Sequence, residues 1–112
     1  MVTVVVSLDE AGIVREMTAE GHALGFAKGE NPVCAAVTVL VRTYLRWIEI
    51  GGIESVEGEA PKSGVLYASV GKPCREREPL FQGASQFLLT GLSDLHETFP
   101  RQCSLRVKRF KE

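Results

Sequence analysis

Cysteine is scarce in this 112-residue chain, and the three that occur, Cys34, Cys74 and Cys103, form no Cys-x-x-Cys pair. A disulfide framework needs an even set, and a structural zinc site needs four ligands at tight spacing, so neither is expected to organise the fold. Excess charge of either sign is also missing: 13 Lys and Arg stand against 14 Asp and Glu, for a net charge of −1. That balance gives no electrostatic reason for membrane or nucleic-acid binding as the main activity, and no direct nucleic-acid binding is expected. The longest apolar run, Pro32 to Ile50, carries Arg42, Arg46 and Glu49, which argue for an amphipathic helix over a membrane span. Met1 leads straight into a strand-like run without a basic-then-apolar signal segment, so a reducing cytoplasm is the expected compartment. There is no Gly-x-Ser-x-Gly, phosphate loop, His-Glu-x-x-His or dinucleotide fingerprint, and no metal or cofactor is expected.

What is present suffices for one core. Apolar residues make up 45% of the chain, and the length is that of a single domain spanning residues 1–112. Val2 to Leu8 is β-branched and reads as a strand, Asp9 to Gly12 as a turn, and Ile13 to Glu20 as its hairpin partner. In that partner Ile13, Arg15, Met17 and Ala19 share one face and Val14, Glu16, Thr18 and Glu20 the other; the pattern leaves open which is buried. Asn31 suits a helix N-cap and Pro32 suits the first helical position. Val33, Val37, Leu40, Val41, Tyr44 and Ile48 then recur at helical spacing until Gly51-Gly52. Ile53 to Glu59 and Val65 to Val70 read as a second hairpin, followed by a charged connector from Lys72 to Pro79. A second helix is marked by Leu80, Phe87, Leu88, Leu92, Leu95 and Phe99 and closed by Pro100; Cys103 to Phe110 reads as a possible last strand. The predicted class is α+β, two helices packed on a mostly antiparallel sheet, in the order ββαββα with a possible C-terminal strand. The basic stretch Arg106 to Lys111 reads as a strand edge protected by charge, with a phosphate-contacting tail as the alternative.

The stretch Gly21 to Val37, GHALGFAKGENPVCAAV, holds the chemistry. With Asn31 as N-cap, Cys34 falls in the first helical turn, near N–H groups without intrahelical partners and at the positive end of the helix dipole. Both favour the thiolate, and the same N–H groups suit an oxyanion formed by attack on a carbonyl. If the second strand lies beside the helix, the loop can bring the imidazole of His22 to the thiol, giving a nucleophile with its general base. Gly21, Gly25 and Gly29 allow positive φ values and suit a substrate-gating loop. The plainer reading of the same residues is a small buried cysteine and a surface histidine.

Gly21-His22-Ala23, a loop, and Val33-Cys34-Ala35-Ala36-Val37 together resemble the ribosomal-processing cysteine protease family, Prp. The likeness extends over nearly the whole chain: hairpin, Gly-His turn, long helix, second hairpin, final helix. It implies a cytoplasmic bacterial endopeptidase, usually a homodimer, that removes a short N-terminal extension from a large-subunit ribosomal protein. The family's nucleophile falls on Cys34 and its histidine on His22. Relatives often carry Asp where this chain has Asn31 and Ser where it has Thr38. The amide of Asn31 can cap the helix or orient an imidazole but supplies no charge. Thr38, at i+4 from Cys34, keeps the hydroxyl and adds a methyl group to the site wall.

Cys74, among Lys72, Arg75 and Arg77, reads as an exposed loop thiol, Cys103 as strand packing, and His96 as a solvated helix position. The competing function is a non-catalytic ribosome-associated binding module that kept the fold, favoured by the basic C-terminal tail and the departures at Asn31 and Thr38. The apolar surplus of the two helices, more than one small sheet needs to cover, points to a homodimer.

Overall fold

The computed structural model describes residues 1–21, 32–50, 56–59 and 65–111. The elements are β1 (Val2–Leu8), β2 (Val14–Glu20), α1 (Pro32–Ile50), β3 (Val56–Glu59), β4 (Val65–Val70), a 3-10 turn (Arg75–Arg77), α2 (Glu78–Thr98) and β5 (Cys103–Arg109). Five strands form one mixed sheet in the order β3-β4-β2-β1-β5. Three pairings are antiparallel, and β5 runs parallel to β1, from Val2 opposite Cys103 to Leu8 opposite Arg109. The expected class holds, with the possible last strand present.

The period of two in β1 sorts the sheet into faces. Val2, Val4 and Val6 are buried, and their partners Cys103, Leu105, Ala19 and Met17 share that face. Met17 faces Ala68 in turn, carrying the apolar row across to β4. Both helices cover this side: α2 packs against β5, and α1 reaches toward β3.

The alternation left open in β2 is decided by a bulge. Ser7 pairs Glu16 while Leu8 pairs Val14, so Arg15 is an extra residue without an opposite. The slip buries Val14, Arg15 and Met17 together. Arg15 is only 8% exposed, and its charge is met on three sides. Its Nε donates to the Val70 carbonyl at 2.7 Å, its terminal nitrogen lies 3.4 Å from Asp9 Oδ2, and its guanidinium stacks 4.6 Å over the Phe110 ring. Asp9 in turn accepts the Ala11 and Ile13 N–H groups with Oδ1, which closes the β1–β2 turn.

In α1 the buried stripe is Val33, Val37, Val41, Tyr44 and Ile48, with Leu40 half-buried on the flank that meets α2. A Cβ at Gly91 would press on the Leu40 side chain, so this glycine lets the two helices approach closely. Trp47 meets Phe81 edge-to-face at 6.5 Å.

The second helix departs from expectation in two ways. It begins at Glu78, so the charged connector is shorter than its reading to Pro79. Its buried stripe is Phe81, Ser85, Leu88 and Leu92, whereas Leu80, Phe87 and Phe99 are exposed. The steps of four, three and four follow one helix face; Leu80 and Phe87 sit off it. The third strand spans only Val56–Glu59, and residues 53–55 lie outside the described residues. No helix among the described residues is long and apolar enough to cross a membrane.

Candidate active site

Gly21 ends β2 with φ at +103°, a left-handed value open to glycine. A Cβ there would collide with the Met1 carbonyl oxygen. The residue thus turns the chain off a central strand where β1 begins. His22, Gly25, Gly29 and Asn31 lie outside the described residues. Among the candidate site residues, Gly21, Cys34 and Thr38 are described.

Since α1 starts at Pro32, Cys34 is its third residue and belongs to the first turn, where backbone N–H groups lack intrahelical acceptors. The side chain is half-buried and packs against the core cluster. Thr38 donates its hydroxyl to the Cys34 carbonyl at 2.8 Å, the common i−4 back-bond of a helical threonine. The hydroxyl is therefore directed at the backbone of the nucleophile candidate, at the same helix flank. Helical spacing puts Cys34, Thr38 and Leu45 on one flank of α1, and Ala36, Leu40, Thr43 and Trp47 on the opposite one.

That opposite flank borders an apolar groove of about 490 Å³ between α1 and α2. Val39, Trp47, Leu80 and Phe87 stand exposed around it, Phe87 at 74%. A shallower depression continues from it past Val39 and Leu40 to Pro32 and Ala35. The groove and the Cys34 side chain therefore occupy different sides of the same helix. The sequence pattern groups Leu80 and Phe87 with Leu88 and Leu92 on one apolar side of α2; the 81, 85, 88, 92 spacing of the buried stripe separates them.

The other thiols have different surroundings. Cys74 is exposed ahead of the 3-10 turn. Cys103 is buried, and burial pushes its thiol up, away from the thiolate form. His96 is half-buried, not solvated as expected, with Nδ1 2.9 Å from the Cys103 carbonyl oxygen. The imidazole contacts the backbone of the strand that follows α2. Among the described residues no group of three or more His, Cys, Asp and Glu is placed to hold a metal ion.

The fold has close counterparts. The essential ribosomal processing protease Prp from S. aureus, in complex with a covalently linked product peptide, superposes with a TM-score of 0.79 at 20% identity, over 96% of this chain and 100% of that one. The same protease with a substrate peptide gives 0.76 at 19%, over 96% and 100%. SMU.848 from Streptococcus mutans gives 0.76 at 19%, over 98% and 96%. No curated protein matches the chain. The family model described as cysteine protease Prp matches residues 1–104, which include both Cys34 and His22. The chain belongs to the Prp cysteine protease family.

Proposed function

We propose that this protein is a cysteine endopeptidase that removes a short N-terminal extension from a bacterial large-subunit ribosomal protein. The observation that carries the reading is the place of Cys34, a half-buried thiol in the first turn of α1 within the segment matched by the protease family. The Cys34 thiolate attacks the scissile carbonyl, and first-turn N–H groups receive the oxyanion. His22 holds the thiol proton and returns it to the leaving amine as the C–N bond breaks. Water, deprotonated by the same imidazole, then splits the thioester and restores the thiol. The Prp structures from S. aureus with substrate and product peptides support a peptide substrate.

The test incubates the protein with the unprocessed ribosomal protein of the same cell. Cleavage is expected, and Cys34→Ala and His22→Ala are each expected to abolish it while the fold persists. Binding without cleavage by the unaltered chain would favour the non-catalytic module instead.

The functional unit in this reading is a homodimer. Its supporting feature is the apolar groove, with exposed Val39, Trp47, Leu80 and Phe87, on the flank of α1 away from Cys34. Gly83, inside α2 on the groove, has open space where a Cβ would be. A mid-helix glycine costs about 1 kcal/mol relative to alanine, and nothing within the described residues packs against its open side. A second copy covering this face leaves both Cys34 side chains accessible.

A further inference from the structure

The net charge hides a local concentration of one sign. Between Glu97 and Glu112 there is no acidic residue, while Arg101, Arg106, Lys108, Arg109 and Lys111 are all exposed. The last four lie on β5 and just beyond it, at the edge of the sheet. Register places Arg106 opposite Val5 and Lys108 opposite Ser7, on the face that the helices leave uncovered, and Arg109 opposite Leu8, on the other face. The spacing of Arg106 and Lys108 along the strand is about 7 Å, the two-residue repeat. The one ion pair among the described residues joins Arg15 to Asp9, so none of these four cations is neutralised by them. The family match ends at residue 104, and the four cations follow it.

We propose that β5 and the residues after it form a docking edge for the phosphodiester backbone of RNA. A row of cations on an extended strand meets a polyanion whose charge also repeats along its chain. Two of the four are arginines, whose planar fork suits phosphate oxygens. Thr3, Ser7 and Ser104 lie on the same open face and offer hydroxyls to phosphate or ribose. Glu16 pairs Ser7 from the other side and Glu20 pairs Thr3, so negative charge begins at β2. The polyanion therefore follows β5 along its length instead of crossing the sheet, and it is read without base specificity. This overrides the expectation drawn from net charge, because binding responds to local potential.

The test measures anisotropy of a fluorescein-labelled 20-nucleotide oligouridylate with the full chain. The two open-face cations, Arg106 and Lys108, predict a slope of at least about −1.4 in log K against log salt, hence a weakening of at least about 7-fold from 50 to 200 mM KCl. Reversing all four charges (Arg106→Glu, Lys108→Glu, Arg109→Glu, Lys111→Glu) is expected to abolish binding at 50 mM, while Arg42→Glu with Arg46→Glu leaves it intact. Should the fourfold variant fail to fold, Arg106→Gln and Lys108→Gln are each expected to reduce the slope by about 0.7. No binding at 50 mM, an unchanged slope in every single variant, or equal competition by polyglutamate of matched length would overturn the proposal. The readout is binding, so its outcome is separate from that of the cleavage assay.

Discussion

The Tyr44 hydroxyl of α1 lies 3.1 Å from Ser85 Oγ of α2, and both hydrogen-bond Val14 beside the β2 bulge. Tyr44 donates to the Val14 carbonyl at 2.9 Å, and Ser85 accepts the Val14 N–H at 2.9 Å. On the other side of β1, the Leu8 carbonyl accepts the Phe110 N–H at 2.7 Å. Two hydroxyls from two helices thus satisfy the backbone where the bulge interrupts the sheet. Ser85→Ala is expected to destabilise the fold by about 1–3 kcal/mol, the cost of a buried unsatisfied N–H. Urea unfolding checks this, and a shift no larger than that of an exposed control such as Gln86→Ala would contradict it.

Burial pushes the Tyr44 phenol up to about 12 from 10.0, with the Ser85 hydrogen bond pulling the other way. Between these values the unfolded chain releases its phenolic proton while the folded chain keeps it. Stability from this group is therefore complete below pH 10 and declines as pH rises toward 12, by about 3 kcal/mol in all. Tyr44→Phe is expected to flatten that alkaline decline relative to the parent, as read from urea midpoints at pH 9 to 11.5.

Gly21 and Gly12 both have positive φ, yet only Gly21 faces a backbone atom where a Cβ would go. Gly12→Ala is expected to cost about 1 kcal/mol, the conformational penalty alone. Gly21→Ala is expected to cost more and also to depress cleavage, since the β1 start must shift and residue 22 with it. Equal thermal midpoints for the two variants would contradict this difference.

The three thiols are expected to alkylate at different rates. Cys103 is buried and its thiol is pushed up, so it reacts slowest in the native protein. Cys34 is expected to react with iodoacetamide faster than exposed Cys74, owing to its first-turn position, and mass mapping of partially labelled protein resolves the order. Labelling of Cys34 no faster than Cys74 across neutral pH would weaken its role as nucleophile.

The groove between the helices is expected to bury itself in the dimer. Phe87→Glu is expected to shift sedimentation at micromolar concentration from two chains to one, because it places a charge in the apolar contact. Gly83→Leu, which fills the open space on the groove, is expected to do the same. Single-chain mass for the unaltered protein would remove the dimer.

Local pattern made most of the fold legible. The alternating valines of β1 and the 33, 37, 41, 44, 48 stripe of α1 state their own periods through near neighbours. The site was legible as chemistry, a cysteine at a proline-led helix start, and the structure puts Cys34 in that first turn. What escaped were features that depend on distant partners. The burial of Arg15 is not legible in the β2 pattern because Val70, Asp9 and Phe110, which accommodate it, come from three other segments. Leu80 and Phe87 share one apolar side with Leu88 and Leu92 in the sequence pattern, because apolar character alone does not say which helix face meets the sheet.

By itself, then, the amino-acid order determined where strands and helices form, that they share one core, and which thiol begins a helix, since periodicity and capping act between residues a few positions apart. Only the tertiary structure decided that β5 lies parallel to β1, that β2 bulges at Arg15, and that one flank of α1 carries Cys34 while the other borders the groove. Register, bulges and helix facing are set by contacts between segments tens of residues apart, whose geometry exists only once the core has closed.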